Sequence, residues 1–216
     1  MPRRAVLRDY PRDPRGRFDS AGRADERLAG LISAAARLFA EKGYHATSMT
    51  DLTDAAGLGR GGVYHYIDSK LDLLFMIHEQ AIAPLEAEVR DVDKRQLDPP
   101  EALRAIAKAL MRSISGQPNE VSVFLHEWKT MSGEPQWKAV RRKRRDLEAI
   151  IQRTIDRGVK DGSLQVADTQ LACFAFLGMI NYSYTWFDPR GKWSFDEIAD
   201  AFCTMLLAGI QVTPVS

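Results

Sequence analysis

Apolar residues recur at three- and four-residue spacing along most of the chain, and no stretch carries a convincing strand pattern, so the sequence predicts an all-α fold. Over Asp25 to Lys42 the residues Leu28, Leu31, Ile32, Ala35, Leu38 and Phe39 fall on one face, and Gly43 ends the run as a left-handed cap. Ser48, with Asp51 three residues on, caps a short helix with Met49, Leu52, Ala55 and Ala56 inward, and Gly57 ends it. A second short helix from about Arg60 to Tyr66 follows too closely for a strand crossover, which suits two helices meeting at a steep angle. Ser69 and Asp72 start a longer helix with Leu71, Leu74, Phe75, Ile77, Ile82 and Leu85, which Pro84 should kink or end. Arg90 to Gln96 reads as loose and charged.

The second half restarts at Asp98-Pro99-Pro100-Glu101, an Asp cap followed by prolines in the first turn, and its helix to about Ser115 buries Leu103, Ile106, Ala107, Leu110 and Ile114. Gln117 to Thr130 makes the next helix, with Val121, Phe124, Leu125 and Trp128 on its apolar side. Pro135 opens a long helix to about Asp161 that turns Trp137, Val140, Leu147, Ile151 and Ile155 inward. Asp168 caps a helix whose residues Leu171, Phe174, Phe176, Leu177, Met179, Ile180, Tyr182, Trp186 and Phe187 cover nearly its whole circumference. A helix apolar all round is buried all round, which here implies one face on its own core and another on a partner subunit. Ser194 and Glu197 form a capping box for a last helix bearing Phe195, Ile198, Phe202, Met205, Leu206 and Ile210, and two such helices from each subunit would make a four-helix homodimer interface.

Composition narrows this picture. The 216 residues, 45% of them hydrophobic, suffice for a sizeable core without staples. Cys173 and Cys203 both lie in apolar helical runs and read as buried free thiols of a reducing compartment. No apolar run approaches the roughly 20 residues of a membrane span and no signal-peptide core opens the chain, so a cytoplasmic protein is expected. Net charge is +1, but residues 1–70 hold 12 Lys and Arg against 9 Asp and Glu, while the remaining 146 hold 18 against 20. Residues 1–23 carry seven arginines among prolines and read either as a basic arm that follows a DNA duplex or as a solvated tail.

A helix entering a major groove needs donors near its amino end and small residues where backbone meets phosphate. Arg60, Gly61 and Gly62 meet that demand, with Tyr64 and His65 one turn on and Lys70 in the first turn of the next helix. Thr47 and Ser48 at the entry to the first short helix complete the DNA-binding candidates. Catalysis finds little support: no G-x-S-x-G, no phosphate-cradling G-x-x-x-x-G-K and no His or Cys pair at ligand spacing, so neither metal nor cofactor is expected. His126 and Glu127 are neighbours in sequence but about 100 degrees apart on a helix, and His126 reads as a core or pocket residue. His45 reads as surface. The densest basic cluster, Arg141 to Arg145, fans round its helix; it is either a solvated face or the source of one or two phosphate contacts.

Three runs together, Ala34 to Tyr44 (A-A-x-x-L-F-A-E-K-G-Y), Thr47 to Gly57 and Val63 to Lys70 (V-Y-H-Y-x-x-S-K), resemble the amino-terminal domain of the TetR family of bacterial transcription regulators. Gly62 stands where that family commonly has Thr, and Ile67 where it commonly has Phe. The resemblance implies a helix-turn-helix domain at 24–70, a helical ligand-binding and dimerisation domain at 71–216, a DNA operator as partner, and a connecting helix from Ser69 that transmits ligand binding. Tyr182 to Gly191 (Y-S-Y-T-W-F-D-P-R-G) is similar to members that regulate fatty-acid or sterol breakdown and respond to acyl-coenzyme A. The ligand-binding candidates are Phe124, Trp128, Arg141, Arg145, Phe174, Tyr182 and Trp186. A repressor released by a small hydrophobic effector is the expected function. An efflux regulator responding to an uncharged lipophile, an architectural DNA-binding protein without effector, and an enzyme of unread site stay open beside it.

Overall fold

The computed structural model describes residues 21–128 and 137–210, without the side chains of residues 21–24, 60 and 210. Residues 1–20 of the proposed arm and the expected helix start at Pro135 lie outside the described residues, whereas residues 21–23, expected as the end of that arm, already belong to the first helix. Within them the fold is all-helical with no strand.

Three helices, α1 (Ala21–Lys42), α2 (Met49–Ala55) and α3 (Arg60–Tyr66), form the amino-terminal unit. Leu31, Ala35, Leu38 and Phe39 of α1 are buried against Leu52 of α2 and Val63 of α3. The turns are set locally. Gly43 at φ +84 and Gly57 at φ +63 take the left-handed conformation that a side chain disfavours. At the start of α2 the Ser48 N–H donates to Asp51 Oδ2 at 2.8 Å while the Asp51 N–H donates to Ser48 Oγ at 3.1 Å. Ile67 is 3% exposed, so the smaller residue at this position fills the core beneath α3.

The long helix α4 (Lys70–Lys94) departs from expectation twice. It does not end at Pro84, which sits exposed on its outer side, where the carbonyl deprived of its N–H partner can meet water. It also runs through the stretch read as loose as far as Lys94: Val89 and Val92 are buried, and Arg90 pairs with Glu86 at 2.6 Å and Asp146 at 2.8 Å. Packing of Ile82, Val89 and Val92 outweighs the roughly 3 kcal/mol disfavour of an interior proline.

Helices α5 (Pro99–Gly116), α6 (Pro118–His126) and α7 (Lys138–Asp161) pack around α4. Asp98 holds the cap position of α5, but its side chain accepts no bond there. The α6 helix ends at His126, short of the expected Thr130, and α7 begins at Lys138 with Trp137 as its cap residue. The last pair is α8 (Thr169–Asn181) and α9 (Phe195–Ile210), with a 3-10 turn at Tyr182–Thr185 between them. The apolar run expected as one helix to Phe187 therefore breaks at Asn181. Cys173, Phe176 and Ile180 face the core, while Leu171, Phe174, Tyr182, Trp186 and Met205 stay exposed on this face.

Candidate functional site

On α3, Val63 points into the core and leaves Gly61, Tyr64 and His65 exposed at i, i+3 and i+4, one face of the helix. The Arg60 side chain lies outside the described residues. A Cβ at Gly62 would meet only Leu58 Cβ, at 3.6 Å, so sterics do not demand glycine there. Ser48 is exposed as the cap of α2. Thr47 is 1% exposed and turns its hydroxyl inward to Gly43 O at 2.8 Å.

Lys70 is drawn inward as well. Its ammonium donates to Tyr44 O at 2.6 Å and Thr47 O at 2.7 Å and sits 4.4 Å from the Tyr44 ring centroid. Burial lowers its pKa, with Glu127 opposing that shift. The geometry makes Lys70 the pin that holds the α1–α2 corner on the first turn of α4. Sequence reasoning missed the neighbouring tie: Glu127, at the end of α6, accepts the Tyr44 N–H at 3.0 Å. No spacing rule relates positions 44 and 127, because only the fold brings them together.

Between α4, α5, α6, α7 and α8 lies a cavity of about 160 Å³. Its walls are mostly apolar, with Ile82, Phe124 and Phe174 among them, and its polar atoms come from Ser113, Arg144, Glu148 and Asn181. Of the ligand-binding candidates, Phe124 and Phe174 line it. Trp128 lies just beyond, its ring 4.4 Å beneath the Arg144 guanidinium. Arg141 and Arg145 are not in its wall, and Tyr182 and Trp186 lie out on the exposed α8–α9 face, the latter beside Phe202 with ring centroids 6.2 Å apart. Arg144, unlike Arg141 and Arg145, shares the inward stripe of Val140, Leu147 and Ile151 at helical spacing. That stripe was the readable signal for it. Arg144 Nε pairs with Glu148 Oε1 at 3.1 Å.

His126 is not a core or pocket residue: it is exposed, with Tyr184 Oη 2.7 Å from Nε2 and Ser122 O 3.0 Å from Nδ1. His45 is exposed, as expected. Both cysteines are buried free thiols whose pKa burial pushes up to about 11. Among the described residues no group of His, Cys, Asp and Glu could hold a metal ion, and no helix is long and apolar enough to cross a membrane.

One helix touches both sites. The α4 helix begins at Lys70, which bonds the α1–α2 corner, and lends Ala81, Ile82 and Leu85 to the cavity wall.

Comparison with known proteins agrees with this arrangement. Residues 31–77 match the family model described as bacterial regulatory proteins, tetR family, and residues 96–210 match the tetracyclin repressor-like, C-terminal domain. The HTH-type transcriptional repressor KstR2 of Rhodococcus jostii is 28% identical over 194 residues, 89% of this chain and 94% of its own. The crystal structure of the TetR family regulator PfmR from Thermus thermophilus superposes with a TM-score of 0.74 at 32% identity, covering 82% of this chain and 97% of that one. That of AibR in complex with isovaleryl coenzyme A and operator DNA superposes with a TM-score of 0.75 at 29% identity, covering 84% and 98%. A helix-turn-helix unit joined by one helix to a ligand-sized cavity, and family models matching both parts, make this chain a DNA-binding transcriptional regulator that belongs to the TetR family.

Proposed function

We propose that the protein is a dimeric repressor that leaves a pseudo-palindromic operator when a small hydrophobic effector fills the cavity, and that the effector is an acyl-coenzyme A thioester. Residues 24–70 read DNA and residues 71–216 bind the effector and dimerise, in the cytoplasm. Two α3 helices, one per subunit, enter successive major grooves, with Arg60 at a base edge and Tyr64, His65 and the backbone at Gly61 and Gly62 against phosphate. Ser48 adds a contact at the start of α2, while Thr47 and Lys70 act from within by holding the corner that supports α3. The observation that carries the reading is the span of α4, since an occupant pressing on Ile82 and Leu85 presses on the helix that Lys70 fastens to the α1–α2 corner of the DNA-binding unit. Differential affinity of the effector for the two domain arrangements is the source of release.

The cavity suits an acyl group and not a whole coenzyme A: a space of this size holds a molecule about as large as benzene. The nucleotide would lie outside, near the exposed Arg142 and Arg145 of α7. The names of the relatives support this choice, since KstR2 is a repressor and AibR was captured with isovaleryl coenzyme A and operator DNA. A second reading, an uncharged lipophile, is favoured by the Arg144–Glu148 pair, which leaves the wall without net charge. Adding isovaleryl-coenzyme A, free coenzyme A, free fatty acid and an uncharged lipophile separately to the protein–operator complex tests both. Release by the thioester alone is expected; release only by the uncharged compound overturns the coenzyme reading.

A further inference from the structure

Against Phe124 of the cavity wall lies a buried polar pair that the effector reading leaves unused. His78 and Trp137 are both 0% exposed, their rings meet edge to face with centroids 5.3 Å apart, and neither His78 Nε2 nor Trp137 Nε1 has a hydrogen-bond partner. Buried polar groups are rarely left unpaired. Here two occur in one ring contact, surrounded by Phe75 and Phe124.

Both residues continue the cavity's own faces. On α4, His78 stands three and four residues before Ala81 and Ile82, one turn nearer the reader on the same side. At the cap of α7, Trp137 stands seven residues before Arg144, about two turns along the same stripe. Phe124 lines the cavity and has its ring centroid 5.4 Å from that of His78, so this side chain touches both the cavity and the pair.

The chemistry of the pair selects its guest. His78 Nδ1 lies 2.8 Å from Leu74 O, and only an N–H can face a carbonyl at that distance. Burial holds the imidazole neutral, so Nε2 is an acceptor, while the indole Nε1–H can only donate. A carbonyl would satisfy the indole alone. A carboxylate would bring an unpaired charge into an aromatic cluster. A hydroxyl donates to one nitrogen and accepts from the other.

Building on the reading of the cavity as an effector pocket, we infer that His78 and Trp137 form its inner subsite and hold the hydroxyl group of a hydroxylated apolar effector, reached when Phe124 swings aside. A ligand hydroxyl would make both bonds, whereas a methyl group in its place would make neither.

Calorimetric titration with benzyl alcohol and with ethylbenzene, near isosteres sized for the cavity, tests the inference on the full chain and on Trp137→Phe and His78→Leu. Replacing either residue is expected to weaken benzyl alcohol about tenfold or more relative to ethylbenzene, as loss of one buried hydrogen bond predicts. Both probes binding with an unchanged ratio overturns the subsite alone. Neither probe binding the wild type overturns the subsite together with the effector pocket. A crystal structure of the unaltered protein with benzyl alcohol is independent of how the variants fold: the hydroxyl between the two nitrogens is expected, and a water there with the alcohol elsewhere overturns the inference.

Discussion

Tyr64 and His65 reach outward from α3 because Val63 and Ile67 hold the other side of the helix in the core. If these outward groups grip phosphate while Arg60 reads a base edge, the two kinds of substitution must separate. Tyr64→Ala is expected to weaken binding to every duplex alike, and Arg60→Ala to relax preference at one base pair at a loss of about 1–3 kcal/mol, as measured by binding to a panel of single-base operator variants. A uniform loss in both variants contradicts that division of labour. At His78, burial lowers the pKa to about 4, against about 6.5 in the unfolded chain. Because the folded value is the lower one, the unfolded chain takes the proton first. The stability due to this group is full above about pH 6.5 and is lost as pH falls toward 4, on the order of 3 kcal/mol in all. Urea unfolding of wild type and His78→Leu across that window should show the steeper loss in the wild type; parallel curves would remove His78 as the cause.

At the scale of elements, caps and periodicity were legible because they are local. The Ser48–Asp51 and Ser194–Glu197 boxes form as their spacing predicts, and the Asp168 side chain accepts the Leu171 N–H at 2.8 Å. Misreadings arose where tertiary packing outvoted a local rule, as at Pro84, or where an apolar run masked a change of helix type at Asn181. The pocket was half legible. Phe124 and Phe174 stood out by type, whereas the choice of Arg144 over Arg141 and Arg145 needed the helix face and not the density of charge. Gly158 was not singled out at all, since its constraint comes from a loop residue and a distant proline. A Cβ there would lie 2.5 Å from Leu164 Cδ1 and 3.0 Å from Pro99 Cβ. Gly158→Ala is therefore expected to destabilise by about 1–3 kcal/mol despite alanine's better helix propensity. A raised melting temperature would contradict this close packing.

For the molecule as a whole, the unfinished surface is the α8–α9 face. Leu171 is 67% exposed, Tyr182 67% and Met205 59%, apolar area that a dimer would cover. Its continuity explains why the apolar run to Phe187 gave the expectation of a partner even though its helix breaks early. Leu171→Asp combined with Met205→Glu should shift sedimentation from dimer to monomer with the helical circular dichroism unchanged, and should weaken operator binding because one subunit reaches one half-site. An unaltered dimer would place the interface elsewhere. The proposed coupling of α3 to the cavity through α4 matters only if the protein reads a defined site, and that claim is open to direct measurement. Purified protein is incubated at moderate salt with a random duplex library, and the retained duplexes are sequenced. Enrichment of one inverted repeat, with half-sites about one helical turn apart, is the predicted result; retention without enrichment would contradict a sequence-specific regulator and leave only backbone binding.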